Sequence, residues 1–189
     1  MDIDSRWLYT WLVGLVAAER AVELLIARRN NRWLAARGGI ELGSGHYRWM
    51  VLLHSLFLVA CVAEVWLLER PLVPPLAASM LLVVAAAMAL RYWVIATLGH
   101  RWTTRVICLP GEPLVETGPY RALGHPNYLA VVAEIVALPL VHTAWLTAVV
   151  CSLANVGVLR ARIRVEEEGL ERYAARNSPN GRYREGRGK

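Results

Sequence analysis

The stretch "PLVPPLAASMLLVVAAAMAL", residues 71–90, contains no charged side chain. A helix in the core of a soluble domain keeps a polar face toward water. A run of this length with none is long enough to cross about 30 Å of hydrocarbon, at 1.5 Å per residue. The pattern extends on both sides. Five apolar segments can be drawn: Trp7 to Ala27, Trp49 to Leu68, Leu72 to Ile95, Asn127 to Val141, and Ala144 to about Leu159. The first three are long enough to span a bilayer. The last two are shorter, and "LPLVHTAW" (138–145), with Pro139 and His142, reads as the turn of a helical hairpin that is tilted, re-entrant or set in a thinned bilayer. The fifth helix can run on past Arg160, because "RARIRVEEEGLERYAAR" is built of good helix formers.

The composition agrees with a membrane class. Of 189 residues, 56% are hydrophobic, eight are Trp and one is Phe, and the mean hydropathy is +0.36. The net charge is +6, carried by Arg except for Lys189. A basic excess can mark nucleic-acid binding, but these Arg residues sit between apolar runs, so no nucleic-acid partner is expected. The connector after the first segment holds Arg28, Arg29, Arg32, Arg37 and Arg48. The connector after the third holds Arg101, Arg105 and Arg121. Such alternation predicts five spans with the N-terminus outside and the C-terminus in the cytosol. The start, MDIDSR, lacks the basic region of a signal peptide, so the first segment is expected to stay as a membrane helix. Cys61, Cys108 and Cys151 lack metal-ligand spacing and read as packing residues, and no metal is expected. Residues 1–176 read as one domain with its catalytic half at about 96–173. Residues 177–189 read as a mobile polar tail.

Polar chemistry concentrates in three places. "AAERAVELL" puts Glu19, Arg20 and Glu23 on one side of the first helix. A charge at membrane depth costs about 2.5–3.5 kcal/mol, so these groups need partners or a wet cavity. They form either a polar wall facing a site or a structural ion pair near Arg28. Glu64 and His54 stand alone in the second segment and read as a snorkelling carboxylate and an interior histidine. The second place is "LGHRWTTRVICLPGEPLVETGPYR" (98–121), a string of turn signals with enough apolar residues to fold as an ordered loop over a pocket. It leads into His125-Pro126, where Pro suits the first turn of a helix whose free N–H groups can receive an anion. The third is "RARIRVEEE", which brings Arg162, Arg164, Glu166 and Glu167 to the end of the fifth helix. That segment is either a solvated charge run or the far wall of the same site.

"GPYRALGHPNYLA", an apolar hairpin and then "RIRVEEEGL" together resemble the isoprenylcysteine carboxyl methyltransferase family. The likeness rests on Gly118, Pro119, Tyr120 and Arg121; on His125, Pro126 and Tyr128; and on Arg162, Glu166, Glu167 and Leu170. Gly124 stands where the family pattern has Arg before His-Pro. The resemblance implies an all-α integral membrane methyltransferase whose cytosolic loop and C-terminal helix bind S-adenosylmethionine and release S-adenosylhomocysteine. It implies cofactor binding by Tyr120, Arg121, His125, Pro126, Tyr128 and Glu167. Arg162 is then placed to stabilise an acceptor oxyanion, and Glu166 to hold Arg162 or take a proton. Glu19, Arg20, Glu23 and Glu134 are expected to face the acceptor, although Glu134, nine residues past His125, need not share its pocket. Within the family the chain is most similar to a bacterial branch that methylates alkylresorcinols and alkylpyrones. This implies a lipophilic small-molecule acceptor, contact with membrane lipids, and a type III polyketide synthase as a pathway partner. The competing class is a small transport or assembly subunit using Glu19, Arg20 and Glu23; it is disfavoured by the absence of an internal repeat.

Overall fold

The computed structural model describes residues 3–173, so the polar tail expected at 177–189 lies outside the described residues. Among the described residues there are five α-helices: α1 (Ile3–Ala35), α2 (Ser44–Leu67), α3 (Pro74–Leu98), α4 (Pro126–Leu140) and α5 (Trp145–Tyr173). The expected all-α membrane architecture is present, with one addition. A two-stranded antiparallel ribbon joins β1 (Ile40–Leu42) to β2 (Val106–Cys108), with Ile40 opposite Cys108 and Leu42 opposite Val106. It ties the α1–α2 connector to the α3–α4 connector.

The bundle has an apolar core and an apolar outer surface. Its core takes Tyr9, Val13 and Val16 from α1, Phe57, Cys61 and Val65 from α2, Val84 from α3, Ile135 and Leu138 from α4, and Cys151 from α5. Leu8, Trp11, Leu15, Leu56, Val59, Leu82 and Leu153 point outward and are more than half exposed. So large an exposed apolar surface suits hydrocarbon rather than water. α2, α3 and α5 are long and apolar enough to cross a membrane. The other two differ for visible reasons: α1 carries Glu19, Arg20 and Glu23 in its middle, and α4 has 15 residues.

The short α4 still runs to the far end of the bundle. There the Thr143 hydroxyl donates to the Pro71 carbonyl at 2.6 Å, and the Tyr9 hydroxyl donates to the Leu138 carbonyl at 3.2 Å. The α4–α5 turn thus meets the α2–α3 turn and the start of α1. Glu64, which the sequence left alone, accepts from the backbone N–H groups of Leu146 and Thr147 at 3.1 and 2.6 Å and from Arg70 at 2.9 Å. It caps the otherwise unsatisfied N-terminus of α5.

At the near end α1 continues eight residues beyond Ala27, where the first apolar segment stops. The extension holds the long connector. Asn30 is buried and donates to the carbonyls of Gly99 and Trp102 at 3.1 and 2.7 Å. The Gly111 N–H donates to the Tyr173 carbonyl at 3.0 Å, fixing the connector to the end of α5. Gly169 permits the close contact of α5 with the ribbon, because a Cβ there would run into Leu42 and Cys108. The connector is therefore ordered, as its apolar content predicts.

Candidate active site

Three cavities lie in line from the near end into the bundle. The first, about 500 Å³, opens between the connector and the end of α5, with Arg101, Glu116, Tyr120, His125, Glu166 and Glu167 in its walls. The deepest, about 170 Å³, lies among the helices and is lined by Arg20, Glu23, His54, Arg91, Asn155 and Val131. Between them a space of about 110 Å³ shares Tyr120, His125 and Glu166 with the first and Asn127, Tyr128 and Arg162 with the deepest.

A relay of side chains marks the junction. Arg162 and Glu166 are one turn apart on α5, so they present one face to the first turn of α4. The Arg162 Nε donates to the Tyr128 hydroxyl at 2.9 Å, and that hydroxyl donates onward to Glu166 Oε2. Arg162 Nη1 also donates to the Thr104 carbonyl at 2.7 Å, which anchors it to the connector. With 7% exposure, Arg162 is not part of a solvated charge run. The His125 ring stacks on Tyr128 at 5.3 Å, and its Nε2 lies 3.1 Å from Glu167 Oε1. Burial raises the Tyr120 phenol above its ordinary range, and the charge of Glu166 adds to the effect. Burial and then Glu166 push the Cys108 thiol up to about 11. Both groups are held neutral beside the first cavity.

The charged groups of α1 pair with one another and with groups on α3 and α4. Arg20 lies 2.7 Å from Glu19, 2.8 Å from Glu23 and 3.7 Å from Glu134. Arg91 pairs with Glu134 and lies 3.7 Å from Glu23. Arg20, Glu23 and Arg91 line the deepest cavity, whereas Glu19 and Glu134 stand behind them. The polar wall and the ion pair are thus one arrangement. Buried atoms remain without a hydrogen-bond partner at Glu23 Oε1, Arg91 Nε and Asn127 Oδ1.

Of the residues singled out in the sequence, Tyr120, His125, Tyr128, Arg162, Glu166 and Glu167 converge on the path. Pro126 is buried at the first position of α4. Arg121 is exposed and lines none of the three cavities. Gly124 lines the first cavity, and a Cβ there would meet open space. Arg91, Asn127, Asn155 and Thr104 were not singled out. The one signal for Arg91 was that it closes the uncharged run 71–90, and charge placement could not reveal that it turns inward.

The sequence profile of the isoprenylcysteine carboxyl methyltransferase (ICMT) family matches residues 79–172, which include the whole junction. A Bacillus subtilis (strain 168) protein described as "Uncharacterized protein YpbQ" is 34% identical over 169 residues, covering 87% of this chain and 98% of the relative. An "Uncharacterized protein" of Haemophilus influenzae is 27% identical over 158 residues, covering 82% and 90%. No solved structure matches the chain. With the profile falling on α3, the connector, α4 and α5, and the Bacillus relative aligned along nearly its whole length, the chain belongs to the isoprenylcysteine carboxyl methyltransferase family.

Proposed function

We infer that this protein transfers a methyl group from S-adenosylmethionine to an oxygen of a lipophilic acceptor, with long-chain phenols and enols such as alkylresorcinols and alkylpyrones as the favoured class. The observation that carries this reading is the line of cavities joined at Tyr128, Arg162 and Glu166. It offers a chamber at the bundle end that sets Glu116, His125, Glu166 and Glu167 among apolar side chains, and a second chamber among the helices, with the relay between them.

Family members use S-adenosylmethionine, and the residues present fit it. A volume of about 500 Å³ falls in the range of small-molecule sites. Glu167 and Glu116 suit ribose or amine donors, and the positive end of the α4 dipole at Asn127 suits a carboxylate. Asn127 Oδ1, buried and unpartnered at the junction, suits a sulfonium's polarised hydrogens. When bound, the cofactor supplies an electrophilic methyl carbon with a good leaving group. The protein supplies alignment and a dry junction. Tyr120, His125, Tyr128 and Glu167 form the cofactor wall, Pro126 sets the first turn of α4 behind it, and Arg121 lies outside it. Arg162, held by Tyr128 and Thr104, faces the acceptor oxygen as negative charge develops there. Arg20, Glu23 and Arg91 bound the acceptor chamber, with Glu19 and Glu134 fixing their positions.

The charge count of that chamber favours a neutral acceptor. Arg20, Arg91 and Arg162 balance Glu19, Glu23 and Glu134, so a neutral acceptor leaves the chamber balanced, whereas a carboxylate would add an unbalanced charge at low dielectric. The alternative acceptor, a prenylated cysteine carboxylate, would have to rely on Arg162 alone. We place the reaction at the cytosolic boundary of a bacterial cell membrane, with the acyl chain left in the bilayer and a type III polyketide synthase as the source of the acceptor.

Two measurements test the reading. His125→Ala and Glu167→Ala are each expected to weaken S-adenosylhomocysteine binding about tenfold or more, the loss of about 1.5–3 kcal/mol typical of a hydrogen bond to a charged group. Unchanged affinity in both would place the cofactor elsewhere. An alkylresorcinol, an alkylpyrone and a farnesylcysteine analogue offered side by side should yield methylated phenol or enol. Product from the farnesylcysteine analogue alone would refute the acceptor class and leave the methyltransferase assignment standing.

A further inference from the structure

His54 has no part in the relay or the ion cluster, yet it lines the deepest cavity together with Tyr128 and Arg162. Its Nδ1 lies 2.8 Å from the Met50 carbonyl oxygen. A carbonyl can only accept, so Nδ1 carries the proton, and in the neutral ring the lone pair belongs to Nε2. Among the described residues Nε2 has no hydrogen-bond partner. Met50, one turn earlier on α2, touches Arg162 Nη1 with its sulfur at 2.9 Å. His54 therefore stands about 6 Å along the helix from the arginine's contact.

The other carboxylates near this cavity are held in ion pairs or hydrogen bonds: Glu134 by Arg91 and Arg20, Glu166 by Tyr128, and Glu23 by Arg20 through Oε2, with its Oε1 3.7 Å from Arg91 and without a hydrogen bond. The charges around the ring are Arg20 and Glu23 from α1, Arg91 from α3, Glu134 from α4 and Arg162 from α5. An imidazolium formed on His54 would face these two carboxylates together with the three guanidiniums.

We propose that His54 is the general base of the transfer and takes the acceptor's hydroxyl proton on Nε2. This rests on the reading of the acceptor as a neutral phenol or enol. The O–H bond breaks and its electron pair forms the new O–CH₃ bond. The S–CH₃ bond breaks and leaves its pair on sulfur. The proton ends on Nε2, so the positive charge that entered on the sulfonium leaves as imidazolium beside a neutral ether and a neutral thioether. A positioned base contributes about 10²–10⁴-fold to a weakly acidic nucleophile and little to one already ionised.

The test is His54→Asn, whose side-chain N–H can replace Nδ1 toward Met50 while removing the base. Two acceptors are offered: a long-chain alkylphenol, and its ring-fluorinated counterpart, which is ionised at the assay pH. The variant should lose about a hundredfold or more on the first and about threefold or less on the second, with S-adenosylhomocysteine affinity unchanged. Equal losses on both acceptors would overturn the proposal. A second measurement needs no variant. Wild-type rate on the alkylphenol should level off well below the phenol's own ionisation, because a protein base takes its proton. A rate climbing unbroken toward the phenol's own value near 10 would overturn the proposal. A readout independent of turnover is the absorbance of a nitrated alkylphenol bound with S-adenosylhomocysteine. Its phenolate band should appear at lower pH in wild type than in His54→Asn, and coincident titrations would count against the base. Methylation of neither phenol by wild type would instead refute the acceptor reading itself.

Discussion

Tyr128 occupies the position where the chemistry and the fold meet. Its ring stacks on His125, and its hydroxyl takes the Arg162 hydrogen bond and passes its own to Glu166. Tyr128→Phe keeps the stack and breaks both hydrogen bonds. A buried donor left without its acceptor costs about 1–3 kcal/mol, and the freed Arg162 loses its aim at the acceptor oxygen. Turnover should therefore fall about ten- to a hundredfold, with a smaller loss in S-adenosylhomocysteine affinity; equal turnover in wild type and variant would remove the relay from the mechanism. Cys108 tests the same neighbourhood through pH. Its thiol is pushed up to about 11 by burial and by Glu166, and the thiolate is the reactive form. At pH 8 about a thousandth of it is ionised, and the neutral form persists until pH approaches 11. Maleimide labelling of Cys108, read by peptide mass spectrometry, should be slow at pH 8 and rise with pH. Prompt labelling at pH 8 would show that the ribbon opens. The residue types of the junction were legible in the sequence, because His-Pro and the Arg–Glu–Glu cluster frame a helix hairpin. The order of the relay was not, since Tyr128 could equally have faced the cofactor alone.

The helices were easy to read where hydrocarbon dictates their composition, as in residues 71–90, and harder where it does not. α1 runs to Ala35 because Asn30 and Leu34 turn toward the connector, an instruction hidden among arginines that look like a loop. The β1–β2 ribbon has three residues per strand, too few to show a period of two. The pairing of Arg91 with Glu134 depends on how α3 and α4 are rotated about their axes, which apolar runs leave undetermined. Glu64 was misread for the same reason: its partners are the start of α5 and Arg70 rather than a headgroup layer. Its placement yields a prediction for the hairpin. Glu64→Ala strands two N–H groups at the start of α5 and the Arg70 side chain. An N-cap loss alone costs about 0.5–2 kcal/mol, and loss of the partly exposed Arg70 pair adds about 1. Thermal unfolding in detergent should show a loss of about 2 kcal/mol or more, with Glu64→Gln recovering part of it through its remaining carbonyl oxygen. Equal stability of Glu64→Ala and wild type would mean that the α4–α5 turn is held by Thr143 and Tyr9 without the cap.

The bundle has two unlike ends, and the difference between them predicts its orientation. Arg28, Arg29, Arg32, Arg37, Arg48, Arg101, Arg105 and Arg121 gather where the ribbon, the long connector and the end of α5 meet. At the other end the α2–α3 turn holds Arg70, which is engaged by Glu64. Short basic connectors stay on the cytosolic side of a bacterial membrane, so the basic end should face the cytosol and the start of α1 should face out. The larger cavity opens at the basic end, so the same orientation gives it access to a water-soluble cofactor, while the deepest cavity stays within reach of the bilayer. Both consequences depend on one measurable fact. In a cysteine-free background, Ile40→Cys on the ribbon and Val115→Cys on the connector should resist a membrane-impermeant maleimide in intact cells and react once the cells are opened. Leu72→Cys, exposed on the α2–α3 turn, should react in intact cells. Labelling of Ile40→Cys or Val115→Cys from outside would invert the bundle. It would then cut the larger cavity off from the cytosol and leave the arginine distribution without its explanation.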